Sequence, residues 1–112
     1  RMRVWYDSFE ASSTASGDTI TFSRMPKGAT IYQVRVVADA LGSSVTIKVG
    51  DASDDDRFIT ATTMNTANLV TETNAIAGVA YNYTAETDLI ATVGGAAATG
   101  TIKFMVFYTL GD

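Results

Sequence analysis

The sequence predicts an all-β, antiparallel fold of about eight strands, a sandwich or barrel. Three observations predict it. Along most of the 112 residues, apolar side chains recur at every second position, the period of a half-buried strand. Glycine-rich or small-residue breaks separate these runs at the spacing that short strands require. No stretch carries a convincing helical period, and no strand–helix–strand unit is visible.

Residues 2–6 form a short β-type run, an edge strand or an arm (residues 1–7) that reaches a neighbour. Residues 8–17 are small and polar and read as a loop. Residues 18–24 alternate, with Ile20 and Phe22 inward and Thr19, Thr21 and Ser23 outward. Met25-Pro26-Lys27-Gly28 reads as a turn, with Pro26 presetting φ at the first central position and Gly28 supplying freedom after it. Residues 29–41 make a long strand. Tyr32, Val34, Val36 and Ala38 form its core face; Ile31, Gln33, Arg35, Val37 and Asp39 share the other.

Val45, Ile47 and Val49 face inward from the next strand, and an acidic loop, Gly50 to Asp56, leads into a short strand at 57–62. Residues 63–77 have no clean period. Val79, Tyr81 and Tyr83 then alternate with polar or small residues. Two runs close the chain around the loop Gly94-Gly95-Ala96-Ala97-Ala98-Thr99-Gly100. Leu89, Ala91 and Val93 face inward from the first. Ile102, Phe104, Val106, Tyr108 and Leu110 share one face of the second, with Lys103, Met105, Phe107 and Thr109 on the other. This closing strand pair is the expected spine of one domain spanning 1–112.

Composition limits the chemistry. The chain has no Cys and no His. That excludes disulfides, zinc–thiolate sites and a Cys nucleophile, and it removes the usual general base. The formal net charge of −4 argues against a nucleic-acid partner. No apolar run approaches the ~20 residues of a membrane-spanning helix, so no membrane partner is expected, and no leader peptide is expected either. Charged residues are 18% of the chain and hydrophobic ones 46%. So weakly charged a surface is expected to be partly covered by partners.

Each candidate site has a plainer explanation. Asp51, Ser53 and Asp55 alternate as in a calcium loop, but Asp56 and Thr62 stand where the helix–loop–helix motif needs Gly and a carboxylate. The alternative is a turn capped by its own Asp and Ser side chains, with Arg57 offsetting charge. Asp7, Glu10, Asp39, Glu72, Glu86 and Asp88 are scattered, with no pair placed across a cleft. No Ser–Lys dyad has a supporting motif. The Gly94–Gly100 loop has no Lys and no following helix, so it is no phosphate loop. No enzyme, cofactor or metal site is expected. Trp5, Tyr6, Tyr32, Tyr81, Tyr83 and Tyr108 raise a sugar-stacking reading, although four of them fall on inward faces.

The anomaly lies on the outward faces. Ile31, Val37, Ile90, Met105 and Phe107 are apolar where alternation points to solvent. If their strands are neighbours, such residues on one side make a patch of the kind that marks an interface; the alternative is a sandwich with strongly coiled edges or a covering loop, such as residues 63–77. The basic N-terminal run, Arg1, Arg3 and Trp5, is a second candidate contact.

A set of short ordered motifs carries a resemblance. Gly17-Asp18-Thr19-Ile20, Met25-Pro26-Lys27-Gly28-Ala29, Asp39-Ala40-Leu41-Gly42, the run Val49-Gly50-Asp51-Ala52-Ser53-Asp54-Asp55-Asp56-Arg57-Phe58, and the run from Gly94 to Ile102 resemble tailed-bacteriophage head decoration (cement) proteins. These are small virion proteins encoded near the major capsid protein. The resemblance spans about residues 18–109. It implies a jelly-roll β-sandwich on the capsid exterior, a homotrimer that clamps major capsid protein subunits, and no catalytic residues. Ile90 stands where the family tends to have a polar residue, which implies a covered face there. The alternatives are a carbohydrate-binding or adhesion module and a tail or head-fibre base subunit of the same virion.

Overall fold

The computed structural model describes residues 1–110; Gly111 and Asp112, the end of the expected 1–112 domain, lie outside the described residues. It contains β1 (Arg3–Thr14), β2 (Thr19–Met25), β3 (Ala29–Ala38), β4 (Thr46–Gly50), β5 (Ile59–Thr63), β6 (Leu69–Glu72), β7 (Tyr81–Asn82), β8 (Thr87–Gly94) and β9 (Ala98–Leu110), with a 3-10 turn at Ile76–Gly78. The strands form two antiparallel sheets. The first runs β1-β9-β3-β6, with β7 also on β3; the second runs β2-β8-β4-β5. Setting aside the two-residue β7 and renumbering the other eight, the orders become 1-8-3-6 and 2-7-4-5. That is the jelly-roll arrangement of a β-sandwich, as the resemblance implied.

Alternation accounts for the core. Ile20 and Phe22 of β2, Val34 and Val36 of β3, Ile47 and Val49 of β4, Leu89, Ala91 and Val93 of β8, and Ile102, Phe104 and Val106 of β9 are all buried between the sheets. Phe22 and Phe104 stack across the gap, ring centroids 4.3 Å apart and planes 9° from parallel. At the rim, the Trp5 indole N–H donates to the Phe22 carbonyl at 2.8 Å, tying β1 to the second sheet.

Several expectations are corrected. The closing runs are not neighbours: β8 is central in the second sheet and β9 in the first, so residues 95–97 cross between sheets. Gly95 makes the crossing, at φ +80°, and a Cβ there would lie 1.9 Å from the Ser44 carbonyl oxygen. The small-residue stretch read as a loop belongs to β1 as far as Thr14, because pairing with β9 continues through Ala11↔Gly100 and, past a register shift, Thr14↔Ala98. The period-free segment contains β6, a four-residue strand paired to β3 from Arg35 to Ala38.

The run at 79–84 is a strand only at Tyr81 and Asn82, with Tyr83 adding backbone hydrogen bonds to Gly28 and Ala29, and Val79 is exposed. The turn after β2 forms, but its hydrogen bond runs from the Ala29 N–H to the Pro26 carbonyl. Pro26 is therefore its first residue, and Gly28, at φ +90°, holds the second central position.

Candidate interaction surface

The outward side of the first sheet brings the apolar anomalies together. Residues directly opposite one another in antiparallel strands share a face, so the registers give its rows. Val4, Phe107 and Gln33 form one row. Tyr6, Met105, Arg35 and Glu72 form the next. Ser8, Lys103, Val37 and Val70 form a third. Val4, Tyr6 and Val70 are each more than half exposed. Met105, Phe107 and Val37 are half-buried by their neighbours. The result is an apolar field across four strands, rimmed by polar groups.

Arg35 crosses the middle of this field. Its guanidinium carbon lies 5.6 Å from the Phe107 ring centroid, and its Nη2 bonds Glu72 at 3.0 Å. Gln33 donates to the same Glu72 oxygen. The Arg35 Nε–H is buried and has no acceptor among the described residues, and such an orphan donor costs about 1–3 kcal/mol. The face thus offers aromatic and aliphatic area with a fixed cation in it, a composition typical of interface cores.

The expected site residues separate. Val37, Met105 and Phe107 lie together on this face. Ile31 does not. It is fully buried, because a bulge between Ile31 and Gln33 shifts the parity of β3. The same bulge corrects Tyr32, expected inward, which is 43% exposed. Ile90 lies on the opposite side of the molecule, on the outer face of β8 between Thr21 and Gly50, close to Thr19, Thr92 and Lys48. It stands alone in a threonine-rich surface, not in a patch with Phe107. Arg1 is exposed, and Arg3 and Trp5 have the opposite parity in β1 to Val4 and Tyr6. Sequence reasoning missed Val4, although its parity in an edge run, shared with Tyr6, was a readable signal. Val70 was hidden in the segment without a period.

The acidic loop resolves into a structural cluster. Asp51 is buried and accepts the N–H groups of Ser53 at 3.0 Å and Asp54 at 2.9 Å, the Arg57 Nε–H at 2.7 Å and the Tyr83 hydroxyl at 2.6 Å. Burial alone would raise its pKa. The hydrogen bonds from Arg57, Tyr83 and the Asp54 N–H, with the Arg57 charge, outweigh that and hold it below the ordinary carboxylate value. Burial, then the bond to Asp51, pushes the Tyr83 hydroxyl far up. Arg57 also lies 4.1 Å over the Tyr81 ring.

Asp51 is therefore turned inward, away from any loop ligand set. The carboxylates that do converge, within 4.8 Å of one another, are Asp54, Asp55 and Asp56. Lys48 meets Asp55 at 2.9 Å. Tyr83 is buried and Tyr81 packs edge-on against it and Phe58. Trp5, its N–H bonded to Phe22, is 38% exposed and is the only exposed one of the three, so they make no exposed aromatic row for a sugar.

No protein-family model matches the chain, and no curated protein matches its sequence. Solved structures do match. A chain of the cyanophage Pam1 capsid asymmetric unit superposes with a TM-score of 0.85 and 26% identity, over 98% of this chain and 85% of that one. The chain shares the fold of that phage capsid chain. A chain of the Ralstonia phage GP4 capsid matches at TM-score 0.81 and 18% identity, covering 100% of this chain and 86% of that one. One from the acid-stable capsid of Helicobacter pylori bacteriophage KHP30 matches at 0.74 and 15%, covering 97% and 87%. At those identities the last two show the shared fold. The likeness supports a phage virion protein with a structural role.

Proposed function

We propose that this chain is a structural, non-enzymatic virion protein that binds the outside of a phage capsid as a homotrimer. It stabilises the shell by bridging major capsid protein subunits. The observation that carries this reading is the likeness to the Pam1 capsid chain over nearly the whole length. The apolar outer face of the first sheet supplies the attachment area, with Phe107, Met105, Val4 and Tyr6 at its centre and Arg35 fixing the register.

Bridging requires contact area and rigidity, not reactive groups. A seam between capsid subunits is loaded outward by the packaged genome. A trimer that touches several subunits at once adds contacts across each seam, and release requires all of them to open together. The test is to add purified protein to capsid shells lacking it and to image them by electron cryomicroscopy. Density outside the shell at local three-fold positions is expected. A protein that leaves such shells bare, or that decorates tails instead of heads, overturns the proposal.

A further inference from the structure

The free edge of β1 supports a separate contact. Thr101 donates its N–H to Asp39 Oδ2 and accepts the Asp39 N–H on its carbonyl, both at 3.0 Å. Its backbone therefore faces the β3 side. Alternation then turns Ile102, Phe104, Val106 and Tyr108 toward β1, and their partners Phe9, Asp7, Trp5 and Arg3 complete that ladder. Val4, Tyr6, Ser8 and Glu10 consequently aim their N–H and C=O groups away from the sheet. Ser8 agrees, since its N–H is held by the Asp7 carboxylate at 2.8 Å. Among the described residues β1 ends the strand order, so no strand pairs with these groups.

Natural edge strands are normally blunted by Pro, Lys, bulges or short length. From Arg3 to Ala11, β1 has no Pro, no Lys and an unbroken register. Such an edge accepts an added strand through main-chain hydrogen bonds.

We propose that the added strand is β1 of a second copy, antiparallel about a two-fold axis through Trp5. Outward-aimed residues must oppose outward-aimed ones, so paired residue numbers sum to an even value. A sum of ten sets Arg3 against Asp7 on both sides of the axis, Val4 against Tyr6 and Met2 against Ser8. Opposite charges directly across a strand pair stabilise it, and like charges oppose it. A sum of fourteen sets Asp7 against Asp7. A sum of twelve sets Arg3 against Phe9, and a sum of eight sets Arg3 against Trp5 and brings to Asp7 only Arg1, which lies outside β1. Charge complementarity between residues of the strand itself selects ten. That register also carries the Val4 and Tyr6 side of the apolar face continuously into the second copy. The contact is two-fold and needs no capsid, so it stands apart from shell binding and from the trimer.

The chain has no Cys, so cysteine trapping reads the register cleanly. Arg3 and Asp7 of the two copies would form a non-hydrogen-bonded pair, with Cα atoms about 4.5 Å apart, within disulfide reach. Arg3→Cys and Asp7→Cys proteins are oxidised separately and as an equal mixture. The mixture is expected to give several-fold more disulfide dimer than either protein alone. By sedimentation, Arg3→Asp should weaken self-association about tenfold, as loss of paired charges predicts, and the R3D/D7R double variant should restore it. Equal trapping in all three samples, a double variant no better than R3D, or a wild-type chain that stays monomeric at millimolar concentration overturns the proposal. None of these results bears on whether the chain binds capsids.

Discussion

Tyr83 donates its hydroxyl to Asp51 Oδ2 at 2.6 Å, and the Arg57 Nε–H reaches the same oxygen at 2.7 Å. One buried carboxylate thus ties the loop after β4 to the residue after β7. Removing it strands a largely buried guanidinium. Asp51→Ala is therefore expected to cost about 3–5 kcal/mol, the range for breaking a buried ion pair from one side. Tyr83→Phe deletes only the hydroxyl, a hydrogen bond to a charged group, and should cost about 1.5–3 kcal/mol. Urea unfolding midpoints with unchanged slope would measure both.

The same cluster sets the response to pH. The Asp51 pKa is lowered on folding. Its contribution is present above the unfolded value, about 4, and is lost as pH falls through the lower folded value. The Tyr83 pKa is raised. Its contribution is complete below the unfolded value, about 10, and declines as pH rises beyond it. Thermal melts should show stability falling at both extremes. Tyr83→Phe should remove the alkaline decline due to this residue, and an unchanged profile would contradict the assignment.

Phe107 and Val106 are adjacent but face opposite sides. Val106 is fully buried between the sheets, whereas Phe107 lies on the outer field beside Val4 and Gln33. Phe107→Asp should change unfolding free energy by no more than ~1 kcal/mol while abolishing binding to capsid shells. Val106→Asp buries an unpaired carboxylate and should prevent folding. Ile90→Asp, on the opposite face, should fold and still bind shells. A Phe107→Asp protein that unfolds outright would refute the face assignment.

Gly95 has no room for a side chain. Its φ of +80° and the 1.9 Å approach to the Ser44 carbonyl oxygen combine a backbone penalty with a steric one. Gly95→Ala is expected to lose more than ~2 kcal/mol. Gly17, also at positive φ but with open space around its Cβ position, should lose only ~1 kcal/mol. Comparing the two melts separates the steric part from the backbone part.

Where each strand keeps a strict period of two, its core face was readable from sequence. Leu89, Ala91 and Val93, and Ile102, Phe104 and Val106, all point inward as alternation predicts. Alternation fails at bulges, because one extra residue reverses every later assignment until the next. The bulge at Tyr32 exchanged Ile31 and Tyr32 in this way. Which sheet a strand joins is not written in its own residues, so β8 and β9 looked like partners. That error placed Ile90 beside Phe107, although the sandwich separates them. The Asp51 cluster was half legible: its capping role and Arg57 follow from local sequence, whereas Tyr83 lies 32 positions away.

The register that pairs Arg3 with Tyr108 also orders events in time. β9 lies between β1 and β3, and it is the last strand among the described residues. Until residues 98–110 have been synthesised and have left the ribosome, β1 has no strand to pair with, and β3 has only β6 and β7. Pairings that span so much of the chain place folding in the slow range, roughly milliseconds to seconds. Until then the row Val4–Phe107–Gln33 does not exist as a surface. A chain that still lacks residues 98–110 therefore presents no such face to any partner.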